Sequence, residues 1–192
     1  MSTAPDILAL AFSPRKEGNS DLLLDAFISG CEDQGARVTR LAARSLNVRG
    51  CLECGECDEA GICVIRDDMD DLYPLLVETS RIVVASPIFF YGVPSGGKAI
   101  VDRTQALWNR IQLHPELKRP AGRGFFLGLG ATRGRDLFEG SLLMFKYFLE
   151  AIGLPKKTES LTYRKIEAKG AVKDHPTALQ EAYAAGKTFS QL

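Results

Sequence analysis

The chain lacks an excess of charge of either sign. Its 192 residues carry 24 basic and 24 acidic side chains, so the formal net charge is zero. No polybasic tract interrupts this balance. Nucleic acids and anionic membranes attract proteins through clustered lysine and arginine. The composition therefore predicts no nucleic-acid partner and no membrane partner.

Long apolar runs are missing as well. No stretch of the sequence approaches the roughly 20 apolar residues needed to cross a bilayer. The first residues show no basic segment followed by an apolar run, which a secretory signal would have. We therefore expect a cytoplasmic protein. Because domains commonly contain roughly 100 to 200 residues, we interpret residues 1–192 as a single domain.

Two sets of catalytic and nucleotide-binding signatures are absent. The only histidines, His114 and His175, lie beside prolines in polar segments, so no Ser-His-Asp triad can be assembled and we predict no catalytic side chain. The dinucleotide motif G-x-G-x-x-G and the P-loop motif ending in Gly-Lys-Ser/Thr do not occur either. Any phosphate site must therefore use a different loop.

Cysteine is concentrated in one place. Four of the five cysteines lie within thirteen residues in the pattern C-x2-C-x2-C-x5-C, at Cys51, Cys54, Cys57 and Cys63. Thiolates spaced this closely can converge on a soft metal centre, and a reducing cytoplasm disfavours a disulfide framework. An iron-sulfur cluster, a zinc site and reduced structural cysteines all stay open. Cys31, on the apolar face of a predicted helix, belongs to the core.

Short apolar runs alternate with amphipathic segments along the chain. Strands are predicted at residues 7–12, 37–41, 81–86, 124–130 and 158–163. Helices are predicted between them, including one long helix from Ser95 through Ile111. Strands that alternate with helices form a mostly parallel sheet covered on both faces, which makes this an α/β protein. Five such strands most commonly take the order 2-1-3-4-5.

In such a sheet, ligands bind beyond the carboxyl ends of the strands where the strand order reverses. The loop after the first strand offers two hydroxyls, an amide and a guanidinium, from Ser13, Ser20, Asn19 and Arg15. Together with backbone N–H groups at a helix start, these suit a phosphate dianion. The alternative is an ordinary capped turn.

The loops after the third and fourth strands differ from the first in character. Phe89, Phe90 and Tyr91 follow the third strand, where aromatic faces suit a flat ring such as flavin. Their alternative role is burial in a core or an interface. Gly130 and Thr132, after the fourth strand, belong to a group of small residues that let backbone donors approach the polar edge of a ring.

These motifs together resemble the NADPH-dependent FMN reductase superfamily of flavodoxin-like proteins, and within it the iron-sulfur flavoproteins of archaea and bacteria. The resemblance extends to about Gly153. It is carried by S-P-R-K-x-x-N-S from Ser13, the four-cysteine pattern from Cys51, V-I-x-D-D-M-D from Val64, S-P-I-F-F-Y-G from Ser86 and K-A-x-x-D-R from Lys98.

The resemblance implies a flavodoxin-like doubly wound parallel sheet with a cysteine-rich insertion at residues 50–66. It implies a homodimer or tetramer, with a [4Fe–4S] cluster on the four cysteines near the flavin of a neighbouring subunit. Phe12 and Ala131 depart from the family, which commonly has glycine at both places. The implied FMN contacts are Ser13, Arg15, Asn19 and Ser20 for the phosphate, Pro87, Ile88, Phe89, Phe90 and Tyr91 for the ring, and Gly130 and Thr132 for the third side.

The favoured hypothesis is an FMN-dependent oxidoreductase that takes electrons from NAD(P)H or a reduced carrier. It would pass them, directly or through the cluster, to a quinone, free flavin, metal ion or protein. Hydride transfer between stacked rings needs positioning more than an acid or base, so the missing triad does not argue against it. Two alternatives stay open: a non-enzymatic electron carrier, and a zinc-stapled binding or sensing protein without flavin.

Overall fold

A five-stranded parallel sheet forms the centre of the computed structural model, which describes residues 6–191. Its order is β2-β1-β3-β4-β5, as the sequence predicts. Each strand lies within one residue of its predicted bounds at either end. The strands are β1 (Ile7–Ala11), β2 (Val38–Ala42), β3 (Arg81–Pro87), β4 (Arg123–Gly130) and β5 (Thr158–Arg164).

Helices cover both faces of the sheet. They are α1 (Asn19–Glu32), α2 (Cys57–Ala60), α3 (Met69–Glu78), α4 (Ser95–Arg103), α5 (Gln105–Leu113), α6 (Glu139–Ala151) and α7 (Ala178–Ser190). Successive residues of β1 point to opposite faces, so Ile7 packs with α1 and α7 while Leu8 packs with α3 to α6. Among residues 6–191, no helix has the length and apolar character needed to cross a membrane.

Helices α1 and α7 pack with their backbones in close approach. A Cβ on Gly30 would lie 2.1 Å from the carbonyl oxygen of Tyr183, and one on Gly186 would lie 2.0 Å from that of Phe27. The predicted core residue Cys31 lies at this crossing, fully buried, and its thiol donates to the Gly186 carbonyl at 3.3 Å. Glycine is therefore required at both positions by helix packing.

The prediction of one long helix from Ser95 to Ile111 is wrong. Helix α4 ends at Arg103 and α5 begins at Gln105. At Thr104, both the backbone N–H and the side-chain hydroxyl donate to the Val101 carbonyl, at 3.0 and 2.6 Å. These bonds to the residue three positions back tighten the turn and interrupt the regular α-helical pattern.

Candidate functional site

The loop between β1 and α1 is shaped by short local bonds. The Ser13 hydroxyl oxygen accepts the Arg15 N–H at 3.2 Å and lies 3.3 Å from the Arg15 carbonyl, to which it donates. Gly18 stands just before the helix, and a Cβ there would lie 3.3 Å from the same carbonyl. The absence of a side chain at Gly18 thus keeps the hollow of the loop open in front of the first helical N–H groups.

A buried carboxylate behind this loop holds its shape. Asp21 accepts the Glu17 N–H at 2.8 Å, which supports the left-handed backbone of Glu17 at φ 56°. The guanidinium groups of Arg44 and Arg40 approach the same carboxylate at 2.9 and 3.1 Å. Arg44 also donates to the Ser13 carbonyl at 3.2 Å. Sequence reasoning missed this network because its members come from three separate segments and form no motif.

Asn19 ties the loop to the segment after β5. Its amide nitrogen donates to the Ala168 carbonyl at 2.8 Å, and its amide oxygen accepts the Val172 N–H at 3.2 Å. The side chain predicted to bind phosphate is therefore engaged in placing the segment that contains Ile166 and Glu167. The sequence carried no signal that these two residues line the cleft, since they follow an edge strand in an unremarkable polar segment.

The aromatic loop after β3 makes a tight turn. Phe89 and Gly92 exchange two backbone hydrogen bonds, of 2.8 and 2.9 Å, across Phe90 and Tyr91. Both central residues have left-handed backbones, with φ of 49° and 64°. This geometry corresponds to a type I′ turn, which normally selects Asn-Gly. Phe90 is fully exposed at 104%. The turn therefore holds two residues in a strained backbone conformation and leaves the Phe90 ring exposed to solvent.

The loop after β4 contacts the aromatic turn. A Cβ on Gly130 would lie 2.5 Å from Leu137 Cδ2, so this glycine is required by packing within the loop. A Cβ on Gly140, at the start of α6, would lie 2.7 Å from the Tyr91 carbonyl oxygen. The Ser141 hydroxyl donates to that oxygen at 3.4 Å. Thr132 is exposed on the same loop.

These segments meet in one cleft at the carboxyl ends of β1, β3 and β4. It brings together seven of the predicted ligand-binding residues: Ser13, Arg15, Asn19, Ser20, Pro87, Ile88 and Phe89. Ile166 and Glu167 complete one wall, while Phe90, Tyr91, Gly130 and Thr132 lie outside the lining. Phe12, one of the two departures from the family, is buried toward α4 instead. Hydroxyls, a guanidinium and helix N–H groups beside apolar Ile88 suit a phosphate joined to a flat ring.

The cysteine segment lies between β2 and α3. Its backbone turns through left-handed residues at Glu53, Gly55 and Gly61, with φ of 53°, 77° and 63°. A Cβ on Gly61 would lie 2.4 Å from Arg110 Cβ, so the segment rests directly on α5. Its four thiols, Cys51, Cys54, Cys57 and Cys63, line a single cavity of about 670 Å³.

The donor set is four thiols, which zinc ions and iron-sulfur clusters both take as ligands. A tetrahedral zinc ion with 2.3 Å bonds brings its thiolates to about 3.8 Å from one another. Within residues 6–191, no three His, Cys, Asp or Glu side chains are placed to ligate one ion. A four-iron cluster spreads its four thiolates over the corners of a larger body. The four thiols that line this cavity suit such a cluster in donor type and number.

A buried ion pair clamps both ends of the cysteine segment. The Arg103 side chain is 0% exposed and contacts Asp67 Oδ2 at 2.7 Å through Nη1. It also donates to the carbonyls of Arg49 and Ile65, at 3.0 and 3.1 Å. Burial opposes the charge on Asp67, but the hydrogen bonds from Arg103 and from two backbone N–H groups lower the pKa of this carboxyl. The pair fixes the segment just before Cys51 and just after Cys63.

Comparison with known proteins gives matches of three kinds. The sequence profile of the family described as NADPH-dependent FMN reductase matches residues 5–123. An iron-sulfur flavoprotein of Archaeoglobus fulgidus is 33% identical over 125 residues, which cover 65% of this chain and 55% of that protein. An iron-sulfur flavoprotein of Methanocaldococcus jannaschii is 28% identical over 127 residues, or 66% of this chain and 63% of that protein. The chain thus spans less than two thirds of the length of these relatives.

Among solved structures, the NAD(P)H:quinone oxidoreductase from Methanothermobacter marburgensis superposes with a TM-score of 0.76 at 14% identity. The match covers 99% of this chain and 98% of that one. A flavodoxin from the domain Archaea superposes with a TM-score of 0.56 at 13% identity, over 96% of both chains. At these identities the likeness concerns the fold alone.

Proposed function

This chain belongs to the NADPH-dependent FMN reductase family, and on that premise we propose that it is an FMN-dependent oxidoreductase with NAD(P)H or a reduced carrier as donor. The acceptor would be a quinone, free flavin, metal ion or protein. The observation that carries this proposal is the cleft at the carboxyl ends of β1, β3 and β4. It gathers the phosphate-type donors of the first loop and the apolar wall after β3 at the point where the strand order reverses.

Each wall of the cleft has a distinct role in this proposal. Ser13, Arg15 and Ser20 would bind the FMN phosphate with the first N–H groups of α1. Asn19 would hold the wall at Ile166 and Glu167 in place, because both ends of its amide are engaged there. The wall formed by Pro87, Ile88 and Phe89, with Phe90 and Tyr91 beyond it, would orient the ring and shield it from water. Gly130 and Thr132 would close the third side. Bound FMN supplies a group that accepts two electrons as hydride and releases them singly.

The four cysteines would hold a [4Fe–4S] cluster as a second redox centre. Support comes from the single cavity that all four thiols line and from the name of the curated relatives. The Arg103 clamp would keep the segment in place while the cluster is assembled. A cluster supplies one-electron transfer, which suits acceptors that take electrons one at a time.

Self-association into a homodimer or tetramer is part of the proposal. The cysteine segment exposes three large apolar side chains, Leu52, Ile62 and Val64. The aromatic turn exposes Phe89, Phe90 and Tyr91 as well. Exposed apolar patches mark interaction surfaces. The cysteine cavity and the FMN cleft are separate cavities with no lining residue in common. In the proposed assembly, the exposed apolar side chains would bring the cluster of one copy close to the flavin of its neighbour. A cytoplasmic location and the lack of nucleic-acid and membrane partners stay predictions.

The direct test is FMN binding followed by turnover. We expect the flavin-free protein to bind FMN, measured by quenching of flavin fluorescence, and the loaded protein to oxidise NADPH or NADH with a quinone or free flavin. Arg15→Gln removes a charged donor from the cleft and should weaken FMN binding roughly tenfold. Lys16→Gln is the matched control, since its side chain is the next residue, is exposed and lies outside the lining.

The outcomes separate the three hypotheses. FMN binding without oxidation of either nicotinamide, or of a reduced ferredoxin, would indicate an electron carrier. A colourless preparation that binds zinc and no flavin would indicate a binding or sensing protein. Equal FMN affinity in the Arg15 and Lys16 variants would contradict the assigned phosphate site.

A further inference from the structure

One polar side chain of α5 reaches the cysteine segment. Asn109 directs its amide nitrogen at Cys57 Sγ, at 3.3 Å, and at Asp58 Oδ1, at 2.7 Å. An amide NH₂ group carries two hydrogens, so it can donate to both acceptors at once. Asn109 is therefore a hydrogen-bond donor to one of the four thiols.

The orientation of this amide is fixed from the other side. Gln105 lies one helical turn earlier, and its side-chain nitrogen donates to Asn109 Oδ1 at 3.1 Å. The Asp58 carboxylate only accepts, so both partners place the amide nitrogen toward Cys57 and Asp58. Gln105 and Asp58 both line the cysteine cavity.

The backbone around the contact is held closely. Helix α2, which begins at Cys57, is followed by left-handed Gly61, and Gly61 packs against Arg110, the neighbour of Asn109. Arg103, before the break in the helix, binds both ends of the cysteine segment. The distance between Asn109 and Cys57 is thus set by contacts on either side of it.

A hydrogen bond to a thiolate ligand changes the energy of electron uptake. When a cluster gains one electron, negative charge on its sulfur ligands increases, so an N–H donor stabilises the reduced form more than the oxidised form. Hydrogen bonds to the sulfurs are one of the factors that set cluster potentials. The step adds one electron to the cluster, with no bond broken and no proton transferred.

We propose that Asn109 is a positioning residue of the four-cysteine centre, whose hydrogen bond to Cys57 raises the reduction potential of an iron-sulfur cluster held there. The inference rests on the cluster of the proposed function. It does not depend on which donor or acceptor the flavin uses.

The test is a redox titration of the full chain, reconstituted anaerobically with iron and sulfide and reduced stepwise with dithionite. The signal is the paramagnetic resonance of the reduced cluster. Asn109→Leu should lower the equilibrium constant for reduction roughly tenfold, which is about 59 mV for one electron. Asn109→Asp, isosteric but anionic beside Asp58, should lower it further. Asn109→Gln keeps a donor and should recover at least half of the shift.

Iron and sulfide content, measured on every sample, shows whether a variant has assembled its cluster. Gln112→Leu is the matched control, because Gln112 is an exposed amide on the same helix outside the cavity lining. The reduction potential of the cluster in this variant should equal that of the wild type. A potential in Asn109→Leu and Asn109→Asp equal to that of the wild type overturns the role of Asn109 alone. Wild-type protein that takes up neither iron nor sulfide overturns the cluster and this role together, while FMN binding in the same sample tests the flavin site separately.

Discussion

Replacement of Arg103 by methionine should strongly destabilise the fold. The Arg103 side chain is 0% exposed, and that of its partner Asp67 is 2% exposed. Methionine fills a similar volume but removes the buried cation from the carboxylate and leaves only the exposed Arg49 guanidinium, at 4.0 Å. It also leaves the carbonyls of Arg49 and Ile65 without a donor. The perturbation therefore removes charge and hydrogen bonding with little change in packing volume.

The expected loss follows from what remains around Asp67. Breaking a buried ion pair by removing one partner destabilises a protein by about 3–5 kcal/mol. Asp67 keeps two backbone donors, the N–H groups of Arg49 and Met69 at 2.9 and 3.1 Å. We therefore expect the lower end, about 3 kcal/mol. With a urea dependence of about 2.5 kcal/mol per molar, the midpoint of unfolding should fall by about 1.2 M.

Urea unfolding followed by circular dichroism measures this loss, and Lys98→Met is the matched control. Lys98 lies on the same helix and pairs with Asp102 at 2.5 Å, but both side chains are about half exposed, at 51% and 41%. An exposed pair four residues apart contributes about 0.5 kcal/mol or less. A double-mutant cycle with Asp67→Asn should give a coupling energy above about 1.5 kcal/mol. If Arg103→Met lowers the free energy of unfolding no more than Lys98→Met does, the ion pair of Arg103 and Asp67 contributes little to stability.

The same pair predicts a dependence on pH. The folded-state pKa of Asp67 is lowered, below the usual value of about 3.9 for an unfolded aspartate. The stability that its charge contributes is thus fully present above about pH 4 and is lost as the pH falls through the folded pKa. The difference in unfolding free energy between the wild type and Asp67→Asn should be constant near neutral pH and shrink below about pH 4. A difference that grows on acidification would contradict this sign.

Three further substitutions test the proposed FMN cleft and its surroundings. Asp21→Asn removes the charge that holds Glu17 and should weaken FMN binding roughly tenfold in a fluorescence titration. Glu32→Gln, which alters an exposed carboxylate at the other end of the same helix, should leave FMN binding unchanged. Gly97→Ala places a Cβ 2.4 Å from Phe12 Cγ and should lower the unfolding free energy by about 1–3 kcal/mol. When Phe12 is also replaced by alanine, the clash is removed and most of this loss should disappear. Asparagine suits the left-handed backbone at position 90, so Phe90→Asn should raise the unfolding free energy of the monomer by about 0.5–1 kcal/mol and weaken self-association measured by sedimentation. A lower unfolding free energy would show that the Phe90 ring packs within the monomer.

The strands and the ligand edge of the sheet could be predicted from the sequence because their signals are local. A run such as ILALA has one plausible environment, a strand buried on both faces, and its neighbours follow from the handedness of the crossovers. The strand order then fixes which loops meet. The first loop and the wall after β3 accordingly lie in one cleft. None of this required knowledge of a distant contact.

Most of what could not be predicted depends on partners far apart in the chain, and the helix break at Thr104 is the local exception. Asn19 is oriented by a segment about 150 residues later, and the Asp21 network needs Arg40 and Arg44 from the segment after α1. The break at Thr104 depends on a local hydroxyl that is compatible with a continuous helix in other settings. Periodicity gives the face that a helix buries, but it carries no information about where a side chain finds its charged partner.

Helix α4 connects the two proposed redox sites. It starts three residues after the aromatic turn ends at Gly92, and it ends at Arg103, which binds both ends of the cysteine segment. Its nine residues are separated by eight steps of 1.5 Å, so its first and last Cα atoms lie about 12 Å apart along the axis. Between them, Gly97 packs against Phe12, the residue just before the phosphate-type loop. A displacement of this helix by Gly97→Ala should therefore change FMN affinity and cluster content together. Arg15→Gln should change only the FMN affinity, and Arg103→Met should change mainly the cluster content. If Gly97→Ala instead leaves the cysteine site intact while FMN binding falls, the helix does not move as one body and the two sites are mechanically independent.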